Sequence, residues 1–283
     1  MHSRIIQVST SRAPRALRIL ALLGTVTLAA SVVACGGSEP SSTSGDPSAP
    51  SATPDGLRVD ASTAGEVTGL VTIDGMAPMN AAIRMNADPI CLREVKGPQA
   101  METFVVGGDG KSLGNVFVYV KDGLGNYIYD TPTEPARIDQ EGCRYIPHVF
   151  GMRVGQPLEI LNSDPTLHNI HATPKMNREF NTGQPIEGMR TTHTFDQPEV
   201  MVPFKCDVHG WMNAYVGVLE HPYFAVTDND GRFSIRTLPA GTYTIEAWHE
   251  RLGAQEQMVT IGEKETRDIA FTFKAPAEGA AGN

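Results

Sequence analysis

The chain has 283 residues with 23 Lys and Arg against 32 Asp and Glu, a formal charge of −9. That balance argues against nucleic acid as a partner, because phosphate backbones are bound by clustered basic side chains. The length allows one or two cores of about 100–200 residues each.

The N-terminus comes first in chain order. Residues 1–34 carry Arg4, Arg12, Arg15 and Arg18 and no acid, then run through an apolar stretch from Ile19 to Ala34. A basic start followed by a short apolar run is the build of a signal peptide, and the run is short for a span that needs about 20 apolar residues. The sequence Val32-Val33-Ala34-Cys35-Gly36 resembles the lipobox of bacterial lipoproteins. The resemblance implies that Cys35 is acylated and becomes the new N-terminus. Loss of residues 1–34 leaves 19 basic against 32 acidic side chains, a charge of −13, which would steer a basic protein partner toward the surface and do so less at high salt.

Residues 35–62 are rich in Ser, Gly, Pro, Ala, Thr and Asp, the composition of a flexible tether spanning roughly 30 Å on average. From Gly65 onward, short runs rich in Val, Ile, Tyr, Phe and Thr alternate with turn residues. Candidate strands are Val67–Ile73, Val116–Val120, Val154–Leu161, Thr191–Phe195, Val200–Cys206, Ala214–Leu219, Tyr223–Thr227, Arg232–Ile235, Thr242–Trp248, Gln257–Ile261 and Thr266–Phe273. Turns such as Asp228-Asn229-Asp230-Gly231 separate them. The expected class is all-β, built as sandwiches or barrels; a short helix fits Asp88–Glu94 or residues 174–188.

Three cysteines remain for the folded part, Cys91, Cys143 and Cys206. In an oxidising compartment an odd count suggests one disulfide and one cysteine kept for other chemistry. The run Val202-Pro203-Phe204-Lys205-Cys206-Asp207-Val208-His209-Gly210-Trp211-Met212 delivers Cys206, then His209, then Met212 at intervals of three from the end of a strand. One loop of that spacing can wrap one ion, and a trigonal His2Cys set with a weak axial Met is the blue-copper arrangement. His168, in Asn162-Ser163-Asp164-Pro165-Thr166-Leu167-His168-Asn169-Ile170-His171, can supply the second imidazole.

Taken with Tyr145-Ile146-Pro147 and Val154-Gly155, these elements make the stretch from about Ala136 to Glu220 resemble a cupredoxin of the amicyanin and plastocyanin type. The resemblance implies a Greek-key sandwich (residues 134–220), one mononuclear type 1 copper, His168, Cys206 and His209 as equatorial ligands, and Met212 as the axial one. It also implies that Asn169 fastens the two ligand loops together; His171, two residues further on, is expected behind the ligands or at the site's rim. Thr166-Leu167 and Val208 stand where the family often has proline, and residues 174–188, with Met176 and Met189 nearby, have no counterpart. With Cys206 given to copper, Cys91 and Cys143 are left to pair, tying the cupredoxin to the segment upstream. Trp211 is expected to cover the copper, to offer a docking surface or simply to pack the loop. His148, His193, His221 and His249 are expected to be structural or solvent-facing.

Phe224-Ala225-Val226-Thr227-Asp228-Asn229-Asp230-Gly231-Arg232-Phe233 and Leu238-Pro239-Ala240-Gly241-Thr242-Tyr243 resemble the carboxypeptidase regulatory-like, transthyretin-like β-sandwich. Gly65-Glu66-Val67-Thr68-Gly69-Leu70-Val71 matches that family's opening strand, and Asn115–Val120 the strand before its turn. The expected module is therefore discontinuous, residues 63–133 and 221–275, with the cupredoxin inserted and 276–283 a disordered tail. Nothing resembles a zinc-peptidase site, and a β-turn explains Asp228 and Asp230 better than calcium does.

The expectation is a copper-binding electron carrier rather than an enzyme. It would be exported, lipid-anchored at the cell envelope and served by a redox protein partner. Gly36 after Cys35 points to an outer membrane where the host has one, and otherwise to the outer face of the plasma membrane. A surface binding or scaffold protein and a copper delivery or storage protein are the other readings.

Overall fold

The computed structural model describes residues 56–277 apart from Ala87. The signal peptide, Cys35, the tether up to residue 55 and the tail from 278 lie outside the described residues. Among the described residues, no helix is long and apolar enough to cross a membrane.

Alternating burial turns the apolar runs into strands. In β1 (Gly65–Asp74) the inward positions are Gly65, Val67, Gly69, Val71 and Ile73, as a period of two requires. β1 sits between β17 (Arg232–Leu238) and β20 (Thr266–Lys274), antiparallel to the first and parallel to the second. The facing sheet runs β16 (Phe224–Val226), β6 (Phe117–Asp122), β18 (Gly241–His249), β19 (Gly253–Ile261). Val67, Val71, Ile235 and Phe271 from one sheet share a core with Val118, Val120, Tyr243, Ile245 and Val259 from the other. Each such side chain removed from water stabilises the fold by roughly 1.5–3 kcal/mol. This sandwich thus joins strands from both ends of the folded chain.

Between those ends lies a second sandwich. One sheet runs β13 (Arg190–His193), β10 (Leu158–Asn162), β7 (Ala136–Gln140), β8 (Tyr145–Ile146). The other runs β12 (Phe180–Gln184), β11 (His168–Ala172), β14 (Glu199–Lys205), β15 (Asn213–Leu219), β9 (Val149–Arg153). Its core holds Ile138, Leu158, Ile160, Ile170, Phe204 and Val216.

The strand expected over Val154–Leu161 is interrupted. Gly155 has φ +73°, and the turn there separates β9 from β10. The short helix falls at the first of its two expected places, α1 (Pro89–Glu94), while residues 174–188 carry the strand β12 (Phe180–Gln184) instead. The remaining pairs are β2 (Ala82–Ile83) with β3 (Gln99–Ala100) and β4 (Val105–Val106) with β5 (Leu113–Gly114).

The structure moves two expected boundaries. Residues 56–62 are not tether: Leu57 donates its N–H to Asn126 and accepts that of Ile128, and Arg58 forms an ion pair with Asp130 at 2.7 Å. Assigned by sequence to the first sandwich, the segment around α1 instead packs on the second, where Met85 and Cys91 are buried in its core with Ile83 and Val95 against it. The Cys91–Cys143 disulfide holds it there.

The two sandwiches meet through a separate apolar cluster of Phe117, Tyr119, Val149, Met201 and Leu219, with Phe224 and Trp248 alongside. This is why four consecutive residues of β6, Phe117 to Val120, are all buried: alternate ones face the two cores. Gly151 and Gly217 are register partners on β9 and β15. A methyl group at Gly217 would collide with the Phe117 ring, and one at Gly151 with the rings of Phe224 and Phe117. Glycine is needed here for close approach.

Candidate metal centre

β14 ends at Lys205 and β15 begins at Asn213, so residues 206–212 form one loop between paired strands. Two backbone hydrogen bonds close it, from Cys206 N–H to Met212 O (3.1 Å) and from Met212 N–H to His209 O (2.9 Å). The His209 N–H in turn points at Cys206 Sγ, 3.3 Å away. His168 enters from β11, which pairs with β14, so the strand ladder brings both loops to the same end of the sheet. Cys206, His168, His209 and Met212 are each at most 3% exposed.

The donor atoms converge. One atom each from His168, Cys206 and His209 all lie within 4.8 Å of one another. His168 Nδ1 is 2.9 Å from His209 Nδ1, which is 3.9 Å from Cys206 Sγ. The outer nitrogens are committed elsewhere: His168 Nε2 lies 2.9 Å from Asp164 Oδ2, and His209 Nε2 lies 2.9 Å from Asp88 Oδ2. An imidazole that donates its Nε2–H to a carboxylate presents a bare lone pair at Nδ1. Two such lone pairs and a sulfur therefore face one another, a cluster completed by a proton or a metal ion. One thiolate and two imidazoles suit a soft or borderline transition metal, so these residues fit such an ion.

The electrostatics agree. Burial alone pushes the Cys206 thiol up, but hydrogen bonds with His168 and His209 outweigh it, and the thiol falls to about 5. Burial works against charge on both imidazoles as well, yet His168 is raised by Asp164 and Cys206, and His209 by Cys206 and Asp88.

Asn169 bridges the two loops: its Oδ1 accepts the Asp207 N–H at 2.8 Å and lies 3.2 Å from Cys206 Sγ. The Tyr145 hydroxyl donates to the Asn169 carbonyl. His171 stands outside the donor cluster, with its nitrogens 3.0 Å from Asp207 and 2.7 Å from Glu179. Trp211 packs on His209 with ring centroids 5.1 Å apart and donates Nε1–H to the Cys143 carbonyl at 2.9 Å. It braces the loop against the disulfide.

Sequence reasoning passed over Asp88 and Asp164. Asp164 carried a signal, four residues before a candidate ligand. Asp88 carried a fainter one, its place three residues before Cys91, which the disulfide brings to the site. Of the other histidines, His148 is paired with Glu250 at 2.8 Å, while His193 stacks on Phe180 with centroids 3.8 Å apart.

No curated protein sequence matches the chain. Among solved structures, a copper-containing nitrite reductase from Thermus scotoductus is 22% identical over 31% of this chain and 23% of its own, with a TM-score of 0.29; the chain thus spans about a quarter of that enzyme. A methionine-to-alanine mutant of amicyanin, in its Cu(I) form, is 19% identical over 30% of this chain and 81% of its own, TM-score 0.27. A purple cupredoxin from Nitrosopumilus maritimus is 23% identical over 29% of this chain and 98% of its own, TM-score 0.26. Residues 212–274, which run from the last residue of the ligand loop to the end of β20, match the carboxypeptidase regulatory-like domain.

Proposed function

We propose that the protein is a one-electron carrier with a single type 1 copper, which His168, Cys206, His209 and Met212 would hold. The observation that carries the reading is the convergence of one donor atom each from His168, His209 and Cys206, all within 4.8 Å of one another, in a site whose donors are at most 3% exposed. Copper bound there supplies a Cu(I)/Cu(II) couple. The loop's hydrogen bonds and the Asn169 bridge hold the donors in place, which suits electron transfer because little has to rearrange when the charge changes. Burial keeps water and substrates from the ion, which favours a carrier over an enzyme. Every potential metal-binding group among the described residues shares His168 or His209.

Lipid anchoring at Cys35, a position on the cell envelope and a redox protein partner with a basic docking face complete the proposal. They rest on the N-terminal sequence and on the charge of −13 left when residues 1–34 are lost, 19 basic against 32 acidic side chains.

The test is a visible and electron-paramagnetic-resonance spectrum of the copper-loaded protein beside Cys206→Ser. An intense thiolate-to-copper band, bleached reversibly by reductant and missing from the variant, is the expected result. Identical signals from both proteins would rule out a cysteine-ligated copper and leave a β-sandwich binding protein as the better account.

A further inference from the structure

The surroundings of the two histidines repeat one pattern. Asp88 Oδ1 accepts the N–H groups of Ile90 (2.7 Å) and Cys91 (3.2 Å), which caps α1, while its Oδ2 faces His209 Nε2 and accepts the Thr166 hydroxyl at 3.2 Å. Asp164 Oδ1 accepts the Gly142 N–H and its Oδ2 the Cys143 N–H, both at 2.8 Å, and the same Oδ2 faces His168 Nε2. Each carboxylate is thus gripped by the backbone N–H of one half of the Cys91–Cys143 disulfide and in turn grips one imidazole. The disulfide ties the two grips together. Asp88 belongs to neither sheet of the sandwich that bears the site; it arrives from the segment between β1 and β6.

We propose that Asp88 and Asp164 are positioning residues of the metal centre, each holding the outer nitrogen of one ligand imidazole, with the Cys91–Cys143 disulfide as the brace that keeps both carboxylates in place. The proposal rests on the metal-binding reading above and adds what tunes it.

A carboxylate at the outer nitrogen fixes the tautomer that leaves Nδ1 free, sets the ring's orientation and makes the imidazole a stronger donor. Two carboxylates also place negative charge beside the ion at short range. Both effects favour the more positive oxidation state, so the pair holds the reduction potential down and tightens the grip on Cu(II) more than on Cu(I).

Asp88→Asn keeps Oδ1 for the Ile90 and Cys91 N–H groups and can turn its amide NH2 toward the His209 imidazole, which opposes the required tautomer; in Asp164→Asn either orientation sets the NH2 against a backbone N–H, that of Gly142 or of Cys143, so this variant also loosens the grip from the disulfide. The experiment measures Cu(II) affinity by chelator competition and the reduction potential of wild type, both variants and Cys91→Ala/Cys143→Ala. Each Asn variant is expected to lose about 10–100-fold in affinity. A tenfold loss confined to Cu(II) raises the potential by about 59 mV. The disulfide-free protein should shift in the same direction, and it serves if either Asn variant fails to fold.

Unchanged affinity and potential in both Asn variants would overturn the positioning role while leaving the copper reading intact. Should the wild type take up no copper, the reading above fails, and the same comparison made with Zn(II) decides the positioning role on its own. A drop in Zn(II) affinity in both variants upholds it, and equal affinity removes it.

Discussion

The Sγ of Cys91 lies 3.6 Å from Nε2 of His209, so a disulfide stands directly against an imidazole of the candidate centre. The contact spans two parts of the chain 118 residues apart. It gives the disulfide two physical tasks, closing a 52-residue separation and walling off the outer edge of His209.

The first task sets a stability prediction. Chain-entropy reasoning gives about 2–4 kcal/mol for a bond closing a loop of this size. Cys91→Ala/Cys143→Ala is therefore expected to lower the unfolding free energy of the metal-free protein by that amount, read as a lower denaturant midpoint. A midpoint unchanged within error would mean that packing of Met85 and Val95 on the second core holds the α1 segment without the bond.

The joint between the sandwiches makes a second prediction. Gly217→Ala places a methyl group into the Phe117 ring, and Gly151→Ala one into the Phe224 ring. Phe117 is 0% exposed, and its ring is packed between those of Tyr119 and Phe224, with centroids 5.6 and 5.7 Å away. Overpacking of this kind typically costs about 1–3 kcal/mol. Either substitution should lower the thermal midpoint, and Gly217→Ala combined with Phe117→Ala should lose less than the two single effects predict. Strict additivity of the two would show that the sandwiches do not rely on this contact.

How much of this was legible in the sequence follows from where the information lies. The ligand loop is contiguous, so Cys206, His209 and Met212 announce themselves by spacing, and β1 and β20 of the first sandwich alternate cleanly. β11 was not among the candidate strands because its residues, His168-Asn169-Ile170-His171-Ala172, mix ring and amide side chains with apolar ones; four of the five are nonetheless buried, since the polar ones are spent on the site. β7, Ala136–Gln140, was passed over for a similar reason: its inward positions are Ile138 and a fully buried Gln140, which bonds Gln184 and the Leu161 carbonyl. Asp88 was beyond reach for a different reason. Its partner is fixed by a crosslink and by tertiary packing, and neither leaves a periodic trace.

The metal-free thiol gives a third prediction. Because its hydrogen bonds with the two histidines outweigh burial, Cys206 titrates at about 5 instead of near its ordinary value of about 8.5. The ultraviolet absorbance of the thiolate in metal-free protein should persist at neutral pH and disappear through a transition close to 5. Cys206 is 3% exposed, so alkylation should be slow even though the thiolate is formed. A transition near 8 or above would mean that the imidazoles do not face the sulfur as the structure has them.

Acid stability supplies the last prediction, and here buried histidines act with opposite signs. Burial would lower His148 and raise Glu250, but their mutual hydrogen bond reverses both, so His148 is raised and Glu250 lowered. The raised His148 adds stability that is complete below about 6.5 and lost as pH rises through its folded value. The lowered Glu250 adds stability that is complete above about 4.5 and lost as pH falls through its own. His249 behaves differently. It is 1% exposed, its Nδ1 accepts the N–H groups of Arg251 and Leu252, and its Nε2 has no partner. Burial holds it down to about 4, so between about 6.5 and 4 the unfolded chain binds a proton that the folded one refuses. Stability therefore falls as pH drops through that window, by up to about 3 kcal/mol from this one residue. His249→Asn keeps an acceptor near the Nδ1 position and removes the titration. Its unfolding free energy should decline less steeply from pH 6.5 to 4 than that of the wild type, while an identical acid limb in both proteins would assign the loss to other groups, His221 first among them because burial holds it, too, at about 4.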